Sequence, residues 1–84
     1  MEQRIRDIIK RETGFDISHK TRKQEYVELR SLYYVILKEF GYSYSRIART
    51  LSKDHGTVIY GINYYQNINS KQLEKLKQLI IKEL

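Results

Sequence analysis

SRIARTLSKDHGTVIYG, Ser45 to Gly61, decides the fold. Ile47, Ala48 and Leu51 share one face of a short helix that ends at about Leu51. A serine at 43 or 45 can cap its start, because the hydroxyl accepts an otherwise unpaired first-turn N–H. Ser52 and Lys53 form the turn. Asp54 is placed to cap a second helix from His55 to about Gln66, where its negative charge also suits the positive helix end. Two helices joined by three or four residues have helix-turn-helix spacing. Val58 and Ile62 would bury the inner face of the second helix, and Ala48 is read as small because that helix crosses close to it. Asp54, His55, Gly56, Thr57 and Tyr60 are then left on the outer face or leading end. In DNA-binding units of this type, that end enters the major groove, where base edges can be distinguished. The competing reading of the same residues is two packed helices of an ordinary bundle.

Working outward, Ile5, Ile8 and Ile9 recur at helical spacing between Glu2 and Thr13, with Gly14 as a left-handed stop. Phe15 and Ile17 are expected to anchor the chain after it. Ser18 to Gln24, SHKTRKQ, is polar and basic with no apolar period and is expected to be a loop or a fraying single turn. Glu25 to about Phe40 carries Leu29, Leu32, Tyr33, Ile36 and Phe40 on a helical stripe and ends at Gly41, which makes it the expected central core helix. Asn69 is expected to cap a last helix, with Gln72 completing a capping box and Leu73, Leu76, Ile80 and Leu84 forming its apolar stripe. The expected fold is all-α, with five or six helices. Tyr26, Tyr33, Tyr34, Tyr64 and Tyr65 lie on or beside the apolar stripes and are read as core rather than as a stacking surface for single strands.

Eighty-four residues are expected to make one domain, residues 1–84, burying about 60% of the surface that the unfolded chain exposes. Mean hydropathy is −0.64, no apolar run reaches the roughly 18 residues of a spanning helix, and Met1 to Arg11 is charged throughout, unlike a signal peptide. A cytoplasmic protein away from membranes is therefore expected. The chain has no cysteine and two histidines, so neither a disulfide nor a zinc cage is expected. His19 and His55 have no nucleophile, second carboxylate or glycine-rich loop beside them, so no enzyme and no cofactor is expected. Sixteen Lys and Arg against ten Asp and Glu give +6, which favours a polyanionic partner. The excess is local: residues 18–53 hold eight bases, Lys20, Arg22, Lys23, Arg30, Lys38, Arg46, Arg49 and Lys53, against three acids.

KDHGTV, Lys53 to Val58, resembles the opening of the recognition helix in the C-terminal DNA-binding domain (domain IV) of the bacterial replication initiator DnaA, which reads Asp-His-Thr-Thr-Val or a close variant. EYVELRSLYYVILKEF, Glu25 to Phe40, resembles that domain's long helix, and KTRK, Lys20 to Lys23, its basic loop. The resemblance runs from Ile5 to Ile68 and implies the DnaA domain IV or Trp repressor-like fold, with double-stranded DNA as partner. Residue by residue, it implies that Arg22 enters the minor groove, that Arg30 lies close to bases and that Lys38 meets a phosphate. Asp54, His55 and Thr57 would contact bases or backbone. Lys20, Lys23, Lys53, Gly56 and Tyr60 complete the expected DNA surface. The residue types suit those tasks: arginine fits a narrow electronegative groove, aspartate can accept from cytosine N4, and Thr and His can meet thymine methyls or phosphates.

The sequence also departs from the family pattern. Gly56 stands where threonine or another small side chain is usual, Ser31 where glutamine often follows the arginine, and the turn is one residue shorter than the usual form with two glycines. These departures bear on which sequence is preferred. No Walker-type phosphate loop is present. The expected function is sequence-preferring binding of duplex DNA, as a monomer, in replication initiation or its regulation or in transcription regulation, with replication or transcription proteins as further partners. The alternative is a protein-interaction regulator that keeps the fold without specific DNA binding.

Overall fold

Five helices make up the computed structural model, which describes residues 1–84: α1 Glu2–Thr13, α2 Gln24–Glu39, α3 Tyr44–Thr50, α4 His55–Ile68 and α5 Lys71–Glu83. The all-α architecture matches the sequence reading, with five helices rather than six. Helix α2 is the axis. Every residue from Leu29 to Leu37 is buried, because α1, α3, α4 and α5 all pack on it, and a helix enclosed on all sides needs no polar face. Leu32, Ile36 and Leu37 are wholly inaccessible, and each such side chain contributes about 1.5 to 3 kcal/mol relative to exposure. Ile5, Ile8 and Ile9 of α1, Ile47 and Ala48 of α3, Val58 of α4 and Leu73 and Ile80 of α5 complete the same core.

Both α2 and α4 end in left-handed residues. Gly41, at φ 93°, lets the Tyr42 N–H donate to Leu37 O and its own N–H to Lys38 O, the paired bonds of a Schellman stop, with Tyr42 and Leu37 buried against the core. Asn69, at φ 48°, ends α4 rather than capping α5. Ser70 takes that role, its hydroxyl accepting from the Leu73 N–H at 3.2 Å; the third helical position is then Leu73, which has no side-chain acceptor, so the expected capping box with Gln72 does not form. Phe40 and Leu84, expected in the core, are 44% and 39% exposed. Each follows the last turn of its helix, where neighbours cover it only in part.

Two contacts decide how the helix-turn-helix sits on α2. Tyr33 is buried, and its hydroxyl needs a partner. It receives a hydrogen bond from Arg6 Nη1 at 3.0 Å and donates to Thr50 Oγ1 at 2.6 Å, since the Thr50 hydroxyl itself donates to Ile47 O. The end of α3 is thereby tied to α1 and α2. The second contact is Gly61: a Cβ placed there would stand 2.6 Å from Tyr34 Cδ2 and 2.8 Å from Cε2, so α4 lies directly against the Tyr34 ring. The sequence reading placed a close crossing at Ala48, which is indeed buried. The tight approach of α4 to α2, however, is made by Gly61.

Candidate nucleic-acid interface

The turn between α3 and α4 is short because the backbone folds back on α3. The N–H groups of Leu51 and Lys53 both donate to Ala48 O, at 3.2 and 2.9 Å. Closing it puts Ser52 at φ 55°, a conformation that costs an ordinary L-residue roughly 1 to 2 kcal/mol and glycine little. Ser52→Gly is therefore expected to stabilise the fold by up to about 1 kcal/mol, read as an upward shift in the urea midpoint at unchanged slope. A midpoint that falls would show that the serine side chain contributes more than the strain removes.

Asp54 caps α4: one carboxylate oxygen accepts the Thr57 N–H at 2.8 Å and the Thr57 hydroxyl at 3.0 Å. These bonds, the backbone one first, hold its carboxyl below the usual carboxylate range. The cap is therefore intact at neutral pH and is lost only as pH falls through that lowered value. Asparagine caps about as well as aspartate but cannot act as a purely accepting carboxylate. Asp54→Asn is thus expected to keep the melting temperature, whereas Asp54→Ala should lower it. A fall in melting temperature for Asp54→Asn comparable to that of Asp54→Ala would tie the position to charge rather than to capping.

His55, Gly56 and Thr57 are exposed at the leading turn of α4, and Tyr60, one turn on, is 69% exposed. The Tyr60 ring stacks on Tyr64, with centroids 6.5 Å apart and planes at 15°. Val58 and Gly61 face inward. A Cβ at Gly56 would meet only Asp54 Oδ1, at 3.4 Å, so nothing steric demands glycine there.

The basic loop lies beside this helix. A cleft of about 510 Å³ runs between residues 17–22 and residues 50–53. A second, of about 300 Å³, is bordered by Arg22 from the loop and by Lys53, Thr57 and Tyr60 from the turn and α4, with Arg30, Tyr34 and Gly61 also lining it. Thr21, Arg22 and Lys53 border both. Lys20 lines the first cleft. Lys23 is exposed and precedes α2. Lys38 lines neither cleft: it lies near the far end of α2, about 12 Å along the axis from Arg30 at 1.5 Å per residue, with its Nζ 4.5 Å from the centre of the Tyr44 ring.

Arg30 departs most from the sequence reading. Its side chain is buried, 7% exposed, and its guanidinium donates to three loop carbonyls: Nε to Ile17 O at 2.9 Å, Nη1 to Thr21 O at 2.7 Å and Nη2 to His19 O. A charged residue two turns into a helix reads as surface in a sequence. The cue that it is not is its position inside the apolar run Leu29 to Leu37.

The family described as the bacterial dnaA protein helix-turn-helix matches residues 3–64, which takes in α1 to α3 and most of α4 and leaves α5 outside. No curated protein and no solved structure matches the chain. With all but the last turn of the helix-turn-helix inside the matched span, the chain belongs to the bacterial DnaA helix-turn-helix family, which binds double-stranded DNA.

Proposed function

We propose that this chain binds duplex DNA with a sequence preference, in the cytoplasm and as a monomer, as a module of replication initiation or its regulation or of transcription regulation. The leading turn of α4, with Asp54, His55, Gly56, Thr57 and Tyr60, enters the major groove, and the loop Lys20 to Lys23 follows the adjoining minor groove. The observation that carries this reading is the cleft that sets Arg22 opposite Lys53, Thr57 and Tyr60. That shared cleft supports assigning Arg22 to a minor groove and the α4 side chains to base edges of the neighbouring major groove. The exposed lysines supply affinity without sequence information, and the α4 side chains supply discrimination. No step of this function needs a metal, a cofactor or a catalytic group.

Competition binding with a preferred and a scrambled duplex separates these roles. Lys38→Ala should weaken both duplexes by similar factors and make the salt slope shallower by about 1. His55→Ala or Thr57→Ala should selectively weaken the preferred duplex, because a lost base contact costs about 1 to 3 kcal/mol of discrimination. Arg22→Ala should fall between these limits, losing charge together with sensitivity to A·T-rich minor grooves. If His55→Ala and Thr57→Ala both leave the preferred-to-scrambled ratio unchanged, α4 is not the reading element and the protein-interaction alternative takes precedence.

A further inference from the structure

We propose that Arg30 is a positioning residue that builds the basic loop into its DNA-ready shape, and is not itself a DNA ligand. This inference rests on the DNA-binding reading above. It assigns Arg30 a role that differs from direct contact with bases.

The loop from Asp16 to Lys23 has no helix or strand of its own. Its internal bonds are local: Ser18 N–H to the Asp16 carboxylate, Thr21 N–H to His19 O and Lys23 N–H to the Thr21 hydroxyl. None of these fixes the loop to the core. Two things do: the Ile17 side chain, 1% exposed, and the Arg30 fork. The carbonyls of Ile17, His19 and Thr21 alternate along the loop and converge on one guanidinium. Only a planar group with several donors at fixed angles can satisfy three carbonyls from one position, and the ammonium of lysine, a point charge on a flexible stem, cannot reproduce that fork. Tyr26 braces the arrangement, with the Arg30 guanidinium 5.7 Å from its ring centre and the His19 ring stacked on it at 6.3 Å.

Each guanidinium nitrogen of Arg30 therefore already donates to a carbonyl, and the group is withdrawn from solvent. Two of its five N–H donors remain and the side chain borders the smaller cleft, but at 7% exposure a phosphate or base edge could engage the group fully only by displacing the carbonyls that shape the loop. Thr21, whose carbonyl Arg30 holds, directly precedes Arg22, so the anchor sets where the Arg22 backbone stands relative to Lys53 and Thr57 across the cleft. An anchored loop also loses less conformational freedom on binding than a mobile one.

A double-mutant cycle on the full 84-residue chain tests this, using a duplex selected by the parent protein from a random library and a scrambled control. In the parent, Arg22→Ala should weaken the selected duplex about 5- to 140-fold, the range of one lost base contact. In an Arg30→Lys background, which keeps the charge and loses the fork, the same change should cost less than about threefold, because coupled residues are not additive. Amide exchange at residues 18–23 should accelerate in Arg30→Lys while exchange in α4 stays as in the parent. Should circular dichroism show that Arg30→Lys does not hold its helices, Arg30→Met, which keeps an unbranched stem without a buried charge, replaces it in the same cycle. Equal Arg22→Ala losses in both backgrounds would overturn the positioning role and leave the DNA reading standing. No loss from Arg22→Ala in the parent would instead remove the basic loop from the DNA reading, and the positioning role with it.

Discussion

Raising monovalent salt from about 50 to about 200 mM is expected to weaken duplex binding about 250- to 1,000-fold, corresponding to a log–log slope of about −4 to −5. The slope follows from how many cations are free to meet phosphates. Of the eight bases between residues 18 and 53, Arg30 is engaged with carbonyls. The other seven, Lys20, Arg22, Lys23, Lys38, Arg46, Arg49 and Lys53, form no ion pair, because the side-chain ion pairs of the chain join Arg11 to Glu12 and Glu83, and Lys77 to Glu39. Four to six of the seven at phosphates, each releasing close to 0.9 of a counterion, give the stated slope. Fluorescence anisotropy of a labelled duplex across a salt series measures it. A slope near zero would remove DNA as the partner of this basic surface, whereas a steep slope with no preferred sequence would keep affinity and discard the reading role of α4.

The helix-turn-helix was legible because its signals are local. An apolar period, a capping aspartate and a short polar turn each occupy a few consecutive residues, and Asp54 caps α4 at the position its sequence neighbours imply. The misplaced details were those that depend on partners distant in sequence. Asn69 and Ser70 are both reasonable caps, and only the left-handed backbone at Asn69 decides between them. Phe40 has the right period for burial, but α2 stops before it and its ring is covered only in part. Arg30 has the residue type of a DNA contact, yet a loop some ten residues upstream folds its carbonyls onto the guanidinium. The pairing of that loop with α4 across a cleft is a tertiary fact with no periodic trace in the sequence. Gly61 left only a weak cue: glycine within a helix costs about 1 kcal/mol relative to alanine, so its presence in α4 asks for a reason that packing alone supplies.

Gly61→Val is expected to cost about 2 to 3 kcal/mol, the upper part of the range for overpacked cores, which for a domain of this size lowers Tm by about 8 to 24 °C. An added Cβ would sit 2.6 and 2.8 Å from two carbons of the Tyr34 ring, well inside van der Waals contact. The ring has little room to retreat, because Tyr34 is 2% exposed within the core and its hydroxyl is buried without a hydrogen-bond partner. Valine's better helix propensity returns only a few tenths of a kcal/mol, so the clash decides the sign. Tyr34→Phe would not relieve it, since the clashing carbons remain, whereas Tyr34→Leu frees the space. The loss from Gly61→Val should therefore be smaller in a Tyr34→Leu background than in the parent, as expected of residues in contact. Because Gly61 and Tyr34 also line the cleft that separates Arg22 from Thr57 and Tyr60, lifting α4 off α2 should reduce the preferred-to-scrambled ratio at temperatures where the variant is still folded. A Gly61→Val chain that melts with the parent would mean that α4 does not rest on α2 at this point, and that the spacing between loop and helix is set elsewhere.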